Sequence, residues 1–367
     1  MAAPEVWGHR FSPIGIGVMS GTSCDGIDLA LCDFSGDSFR LLRFLSLPFP
    51  ENLRSRLVSV MHLPSRELFL LENELTAFTA AGIRQLRAET DAVPAYIGAH
   101  GHTVFHRPDQ HLTFQMLNGG MLAELTGLPV VCDFRRQDVA RGGQGAPLVP
   151  LGDRLLFGAY DACVNLGGVA NVSLMKNQPP LAYDVCPANL ILNELAQRVG
   201  KAYDEGGALA ASGSPLPDLL KRLGRLAYYR KTPPKSLGRE WFEEEFLPLF
   251  SPESASVPDL AATAVVHIAD RLAAALQGVP AGGRVLFSGG GAFNTFLIDT
   301  IAQRLRCTAE TADPQMTEAK EAVIFALLAR LRLEGRQNVI HAVTGAESAV
   351  TAGAVYLPAG IAVVPEP

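Results

Sequence analysis

The sequence predicts an α/β protein of two lobes, each a mixed sheet flanked by helices. Short apolar runs broken by Gly-rich turns alternate with helical spacings, as a sheet covered by helices requires. The same order of elements occurs twice. With 367 residues the chain also has room for two domains, at roughly 150 residues each.

Ile14–Met19 is a short apolar run, Ser20–Gly26 a turn of small residues, Ile27–Phe34 a second run and Phe39–Leu47 a third. Pro50–His62 then places Leu53, Leu57, Val60 and Met61 at helical spacing. Three antiparallel strands followed by a helix is the reading. The order returns with strands at Ala162–Leu166, Val169–Met175 and Leu181–Val185 around a Gly167-Gly168 turn, and a helix opening at Pro187, where proline suits a first turn. Long helices follow in both halves, Glu67–Glu89 and Leu260–Leu276. Each leads to a short strand that ends in small residues, Tyr96–Ala99 before His100-Gly101 and Arg284–Phe287 before Ser288–Gly291. Helices at Gly119–Thr126 and Asn294–Leu305 complete the correspondence. The lobes are drawn at 1–135 and 136–349, with 350–367 packing back on the first, and ligands are expected in the cleft between them. Arg225–Pro258, rich in Pro, Lys and aromatic residues, reads as an insertion on the second lobe, and Glu243–Glu245 as a solvated face.

A hydrophobic share of 48% with 19% charged residues supports two buried cores and excludes disorder. The net charge of −6 argues against a nucleic-acid partner held by its phosphates, but leaves room for a nucleotide in a local site. Six scattered cysteines with no C-x-x-C pair suit reduced thiols in the cytoplasm better than disulfides or zinc. No run of about 18 apolar residues is present to read as a membrane span, and the first dozen residues read as a loose leader without a signal-peptide core.

Glycine turns between strands expose backbone amides and admit a ligand closely. In Ser20-Gly21-Thr22-Ser23-Cys24-Asp25-Gly26-Ile27-Asp28, hydroxyls and amides suit phosphate oxygens, and Asp25 and Asp28 suit Mg²⁺, directly or through water. A lone hairpin of this kind is ordinary turn chemistry. A second at Asn165–Asn171, with Gly167 and Gly168, and a third Gly turn at Ser288–Asn294 make it a pattern. Gly289, Gly290 and Gly291 let a flat adenosine lie against the backbone near the helix that follows Asn294. No G-x-x-x-x-G-K-[ST] is present, and no G-x-G-x-x-G follows a strand, so neither a P-loop nor a Rossmann site accounts for these turns.

Several runs carry a closer resemblance: GVMSGTSCDGID (17–28), AHGHTVFHRP (99–108), DFRRQDVARGGQGAPLVP (133–150), NLGGVANVS (165–173), DVCPAN (184–189), SGGGAFN (288–294), EAVIFALLA (321–329) and VTGA (343–346). Together they resemble the anhydro-N-acetylmuramic acid kinases, within the superfamily of sugar kinases, actin and heat-shock ATPases, from about residue 14 to about 356. The resemblance implies a two-lobed sugar kinase/actin-like fold and an ATP- and Mg²⁺-dependent kinase. Such an enzyme adds water to 1,6-anhydro-N-acetylmuramic acid and phosphorylates its O6 in recycling of cell-wall sugars. It further implies Asp184 as catalytic base, a sugar site around His100 and Thr103, and a homodimer. Arg135 becomes a partner for sugar hydroxyls or a lactyl carboxylate. Gly143, Gln144 and Gly145 become a close-approach loop, and Glu321, at a helix start, orders metal-bound water or answers the helix dipole. A metal reading of His100 and His102 lacks a carboxylate or cysteine at useful spacing, so hydrogen bonding is the better reading. The chain departs from the family with Cys24 for methionine, His102 for glutamine, Leu166 for threonine, and Val185, Cys186 and Ala188 where Thr, Gly and Gly stand. Two readings stay beside the leading one: a kinase for another anhydrosugar such as levoglucosan, and a nucleotide-binding switch without turnover.

Overall fold

The computed structural model describes residues 12–360 except 22–23, 37–38, 234 and 252–254, together with the backbone of Glu5–Val6 and His9–Arg10, which pair antiparallel. Most of the predicted leader, and Thr22 and Ser23 of the first turn, therefore lie outside the described residues. Ile14–Met19 (β1), Gly26–Asp33 (β2) and Arg40–Pro48 (β3) form an antiparallel meander. Tyr96–Ala99 (β4) pairs parallel with β1. His102–Arg107 (β5) and Leu112–Met116 (β6) make a separate hairpin, and Val130–Cys132 (β7) pairs parallel with β4. The sheet order is β3-β2-β1-β4-β7, extended by Ala354–Tyr356 antiparallel to β7.

The second sheet repeats the first. Ala162–Leu166 (β8), Val169–Leu174 (β9) and Leu181–Pro187 (β10) form the meander; Arg284–Ser288 (β11) pairs parallel with β8, and Thr308–Thr311 (β12) parallel with β11. Its order, β10-β9-β8-β11-β12, matches in sequence and direction the core of the first. The helices Ser65–Ala88 and Val257–Ala275 stand where periodicity placed them. The duplication read from apolar runs is thus a duplication of topology. One detail differs: Pro187 closes β10, and the helix begins at Asn189 after Ala188, so the proline is not in a first helical turn.

The chain divides into two units, Met1–Gly152 with Ala319–Pro367, and Asp153–Glu318. The division falls after Gly152 rather than after Arg135, and the first unit regains the chain at Ala319 rather than near residue 350. Two local reasons explain this. Residues 135–145 are hydrogen-bonded among themselves and to Thr344, and the helix Pro314–Leu333 lies against β1 and β4. A Cβ on Gly17 would stand 1.7 Å from the Ala322 carbonyl, and one on Gly98 2.1 Å from that of Phe325. Only glycines let the helix approach this closely.

Candidate active site

In the first unit the turn between β1 and β2 is tied at several points. The Cys24 N–H donates to Gly21 O at 3.3 Å, Cys24 itself has φ 54°, and Arg54 Nε donates to Cys24 O at 3.2 Å. His102 reaches Ser20 Oγ through Nδ1 at 3.1 Å and Cys24 Sγ through Nε2 at 3.7 Å. Two departures from the family pattern, Cys24 and His102, therefore touch each other. Burial holds the His102 ring neutral and pushes the Cys24 thiol up, so one ring nitrogen donates and the other accepts. Gly26 is required by the sheet, since a Cβ there would meet Leu47 O at 2.3 Å. Ile27 faces the core and its backbone pairs with Leu47; it shapes the turn but presents no side chain to a ligand. Asp25 is exposed and Asp28 half-buried. Their hard oxygen donors suit a hydrated Mg²⁺.

Among the described residues no group of three or more His, Cys, Asp or Glu could hold a metal ion, so Asp25, Asp28 and Glu321 do not form one set. The physical reason is placement. The helix begins at Pro314, which puts Glu321 inside it rather than at its start, and Glu321 acts on the Arg135 guanidinium instead. A helix-dipole role lapses with the same observation.

Arg135 is the centre of a second cluster. Its Nε and Nη2 donate to His100 Nε2 at 3.0 and 2.8 Å, and its Nη1 donates to Gly145 O at 2.7 Å. His100 is buried, and desolvation together with the adjacent guanidinium keeps its ring neutral, which is the state able to accept from Arg135. Burial pulls Arg135 down to about 10, against the raising influence of Glu321 and Asp138. Gly145 is gripped from both sides, because its N–H donates to Asp138 Oδ2 at 2.7 Å. The other oxygen of the fully buried Asp138 accepts from Thr344 Oγ at 2.7 Å, and Gln144 N–H donates to Thr344 O at 2.8 Å. Gly143 has to be glycine, for a Cβ would lie 2.2 Å from Asp138 Oδ2. Thr103, on β5, is half-buried beside Gln115.

In the second unit Asp184 lies on β10, the edge strand, beside a bulge that leaves Val185 unpaired between Asp184 and Cys186. Bulges re-aim side chains and recur beside active sites. Asp184 Oδ2 accepts from Leu237 N–H at 2.9 Å, its N–H donates to Lys235 O at 3.3 Å, and its carbonyl accepts from Tyr228 OH at 2.5 Å. Burial raises the proton affinity of the carboxyl, with the Leu237 N–H opposing. Val185, Cys186 and Ala188 are core residues, and none of the three has a positive φ.

The glycine turns of this unit pack on one another. Gly289 has φ 82°, and a Cβ there would stand 2.3 Å from Asn165 Oδ1. One on Gly291 would stand 2.8 Å from Leu166 Cβ. The Gly167 and Gly168 carbonyls accept from the N–H groups of Asn189 and of Ala188 and Leu190, which turns those carbonyls toward the helix. Gly290, Gly291 and Asn294 line an open pocket of about 510 Å³ with Asn189, Asn193 and Tyr203. That is ample for a nucleoside. Asn294 also caps the helix Thr295–Ala302 through Oδ1, 2.9 Å from Leu297 N.

The anhydro-N-acetylmuramic acid kinase family matches residues 13–358. The chain belongs to this family. It is 40% identical over 359 residues to the anhydro-N-acetylmuramic acid kinase of Bordetella pertussis, covering 93% of this chain and 95% of that protein. With the Pseudomonas putida enzyme of the same name it is 39% identical over 368 residues, covering 93% and 98%. Among solved structures, a ligand-bound xylulose kinase from Lactobacillus acidophilus covers 94% of both chains at 11% identity with a TM-score of 0.44, too distant to bear on the site. Among the described residues no helix is long and apolar enough to cross a membrane.

Sequence reasoning missed Tyr228, Lys235 and Leu237, which lie in the stretch read as an insertion. It quoted Asp138, Asn189 and Thr344 only within longer runs, and gave Asn193 and Tyr203 of the pocket no role. The weak signal for the first group was a tight sequence of Tyr-Tyr and Lys beside prolines, an unusual composition for a dispensable loop.

Proposed function

We propose that the chain uses ATP to open 1,6-anhydro-N-acetylmuramic acid with water and to phosphorylate O6, giving N-acetylmuramic acid 6-phosphate and ADP. The observation that carries this reading is Asp184. It is a carboxylate on a bulged edge strand, held by one oxygen and made more basic by burial. In the reaction Asp184 Oδ1 takes a proton from water as the water oxygen bonds to C1. The C1–O6 bond breaks with its electron pair on O6, and O6 bonds to the γ-phosphorus as the bond to the ADP oxygen breaks. A base whose pKa is raised toward the working pH is the better proton acceptor. Mg²⁺ neutralises phosphate charge when bound, with Asp25 and Asp28 the residues to hold its water shell.

Gly21, Thr22, Ser23 and Cys24 of the first turn, with Asn165, Gly167 and Gly168 of the second, take the phosphates. Gly290, Gly291 and Asn294 take the nucleoside. Arg135, oriented by His100 and by Gly145, takes the lactyl carboxylate. Among the described residues its hydrogen bonds go to a ring nitrogen and a backbone carbonyl rather than to a carboxylate, and its fork geometry favours one. A cytoplasmic location and a homodimer belong to the same reading and rest on family membership alone.

The test is ADP release with Mg-ATP and, in parallel, 1,6-anhydro-N-acetylmuramic acid, levoglucosan, or no sugar. Turnover confined to the first is the expected result. Turnover only with levoglucosan assigns another anhydrosugar, and nucleotide binding without turnover on either sugar assigns a switch.

A further inference from the structure

The stretch that covers the edge of β10 does more than close a sheet. Asp184 presents its N–H and carbonyl outward from the edge strand, and both are met from the same stretch, by the Lys235 carbonyl at 3.3 Å and the Tyr228 hydroxyl at 2.5 Å. The third contact, Leu237 N–H to Oδ2 at 2.9 Å, is to the carboxylate itself. The placing of Leu237 therefore decides which carboxylate oxygen is held and which is left to react. Among the described residues Lys235 itself fixes that stretch in three ways. Its carbonyl binds the Asp184 N–H, its ammonium donates to Tyr228 O at 3.4 Å, and it sits over the rings of Tyr228 and Tyr183 at 4.6 and 5.5 Å. Cation–π contacts of this kind contribute most where the ammonium is partly desolvated, and Lys235 is half-buried. Tyr228 is itself buried against Trp241 and Tyr229, so the cage is rigid on its protein side.

We propose that Lys235 is a positioning residue: its ammonium, caged by Tyr183 and Tyr228, holds the Leu237 N–H on Asp184 Oδ2 and so aims Oδ1 at the water. This rests on the reading of Asp184 as the base. The groups facing Asp184 make the consequence measurable. Cys186 on its own strand is pushed up to about 12, burial raises Tyr183, Tyr228 and Tyr229 above their ordinary values, and His267 is held down to about 3. Lys231, Lys235 and Arg271 are cations of this neighbourhood among the described residues, and none of them is among the causes of the shift at Asp184. Burial raises the pKa of the Asp184 carboxyl, so its protonation sets the acid limb of the profile. The Leu237 N–H stabilises the carboxylate, so losing it raises the pKa of Asp184 further.

The experiment is the pH profile of kcat/KM, with Mg-ATP and 1,6-anhydro-N-acetylmuramic acid, for the full chain and for Lys235→Met, Lys235→Arg, Tyr183→Leu and Asp184→Asn. Lys235→Met is expected to lower kcat roughly tenfold and move the acid limb up by about one pH unit, with KM for ATP unchanged. Lys235→Arg, whose guanidinium also stacks on aromatic faces, should return the limb toward its original position. Far-UV circular dichroism and calorimetric ATP binding establish that each variant is folded. Should Lys235→Met not fold, Tyr183→Leu, which removes one wall of the cage, must move the limb in the same direction. An acid limb that stays in place in a folded Lys235→Met, or in Tyr183→Leu where Lys235→Met does not fold, overturns the inference while an inactive Asp184→Asn leaves the base assignment standing. An active Asp184→Asn overturns both.

Discussion

The third strand of each sheet occupies the same place in the same topology, yet β3 and β10 are treated differently. β3 meets solvent with charged side chains: Arg40 pairs with Asp33 at 2.6 Å, and Arg43 pairs with Glu89. Edge charges are a common way to keep a strand from pairing with another chain. β10 is instead covered by the stretch that ends at Leu237, and on it sits Asp184. A solvated edge would leave a carboxylate near its ordinary pKa, whereas a covered edge raises it and supplies a fixed donor. The difference teaches that one duplicated scaffold supplied two edges, and that covering one of them is what made a carboxylate there suitable as a base.

The largest expected effect tests that contrast directly. Asp184→Asn should lower turnover by roughly 10²–10⁴-fold while ATP still binds by calorimetry, whereas Arg43→Ala on the equivalent strand should leave turnover unchanged. Equal losses in both variants would end the comparison. The sign of the pH dependence follows from the raised proton affinity at Asp184. Activity is present above that pKa and lost as the pH falls through it, so the acid limb of kcat/KM should lie above the usual carboxylate range.

The next effect concerns the equivalent strands β4 and β11, which end in different chemistry. β4 leads to His100 and the β5–β6 hairpin, while β11 leads to the glycine turn at 289–291. Arg135→Ala, which empties the place beside His100, should weaken binding of the lactyl sugar by about 1.5–3 kcal/mol, roughly ten- to a hundredfold in KM, with KM for ATP unmoved. A rise in KM for ATP instead would assign Arg135 to phosphate. Asp138→Ala removes acceptors from Gly145 N–H and Thr344 at a buried site, and should cost about 2–4 kcal/mol of stability, read as a fall in the denaturant midpoint. The smallest effect is the coupling between Cys24 and His102. A double-mutant cycle with Cys24→Met and His102→Gln should show an interaction of roughly 0.5–1 kcal/mol, since the two side chains meet at the turn between β1 and β2. Additive effects would mean the two departures from the family pattern are independent.

Much of this was legible in the sequence because it is local. Apolar runs of strand length, glycine breaks and four-residue spacings each report the period of one element, and two copies in the same order reported the duplication. Where glycines stand, the reason was less legible. Gly17 and Gly98 admit a helix from more than two hundred residues downstream, and Gly26 and Gly289 are required by their protein neighbours. A glycine in a sequence says that something comes close; it does not say whether that is a ligand or the chain itself.

By itself the sequence determined the elements, their duplicated order and, through whole motifs, the family. The tertiary structure decided which side chains act together. Leu237 lies 53 residues from the Asp184 it holds, and Thr344 lies 206 residues from Asp138. The physical reason is range. Periodicity and turn chemistry act over a few residues, whereas the orientation of a carboxylate depends on hydrogen bonds that exist only once distant segments have packed.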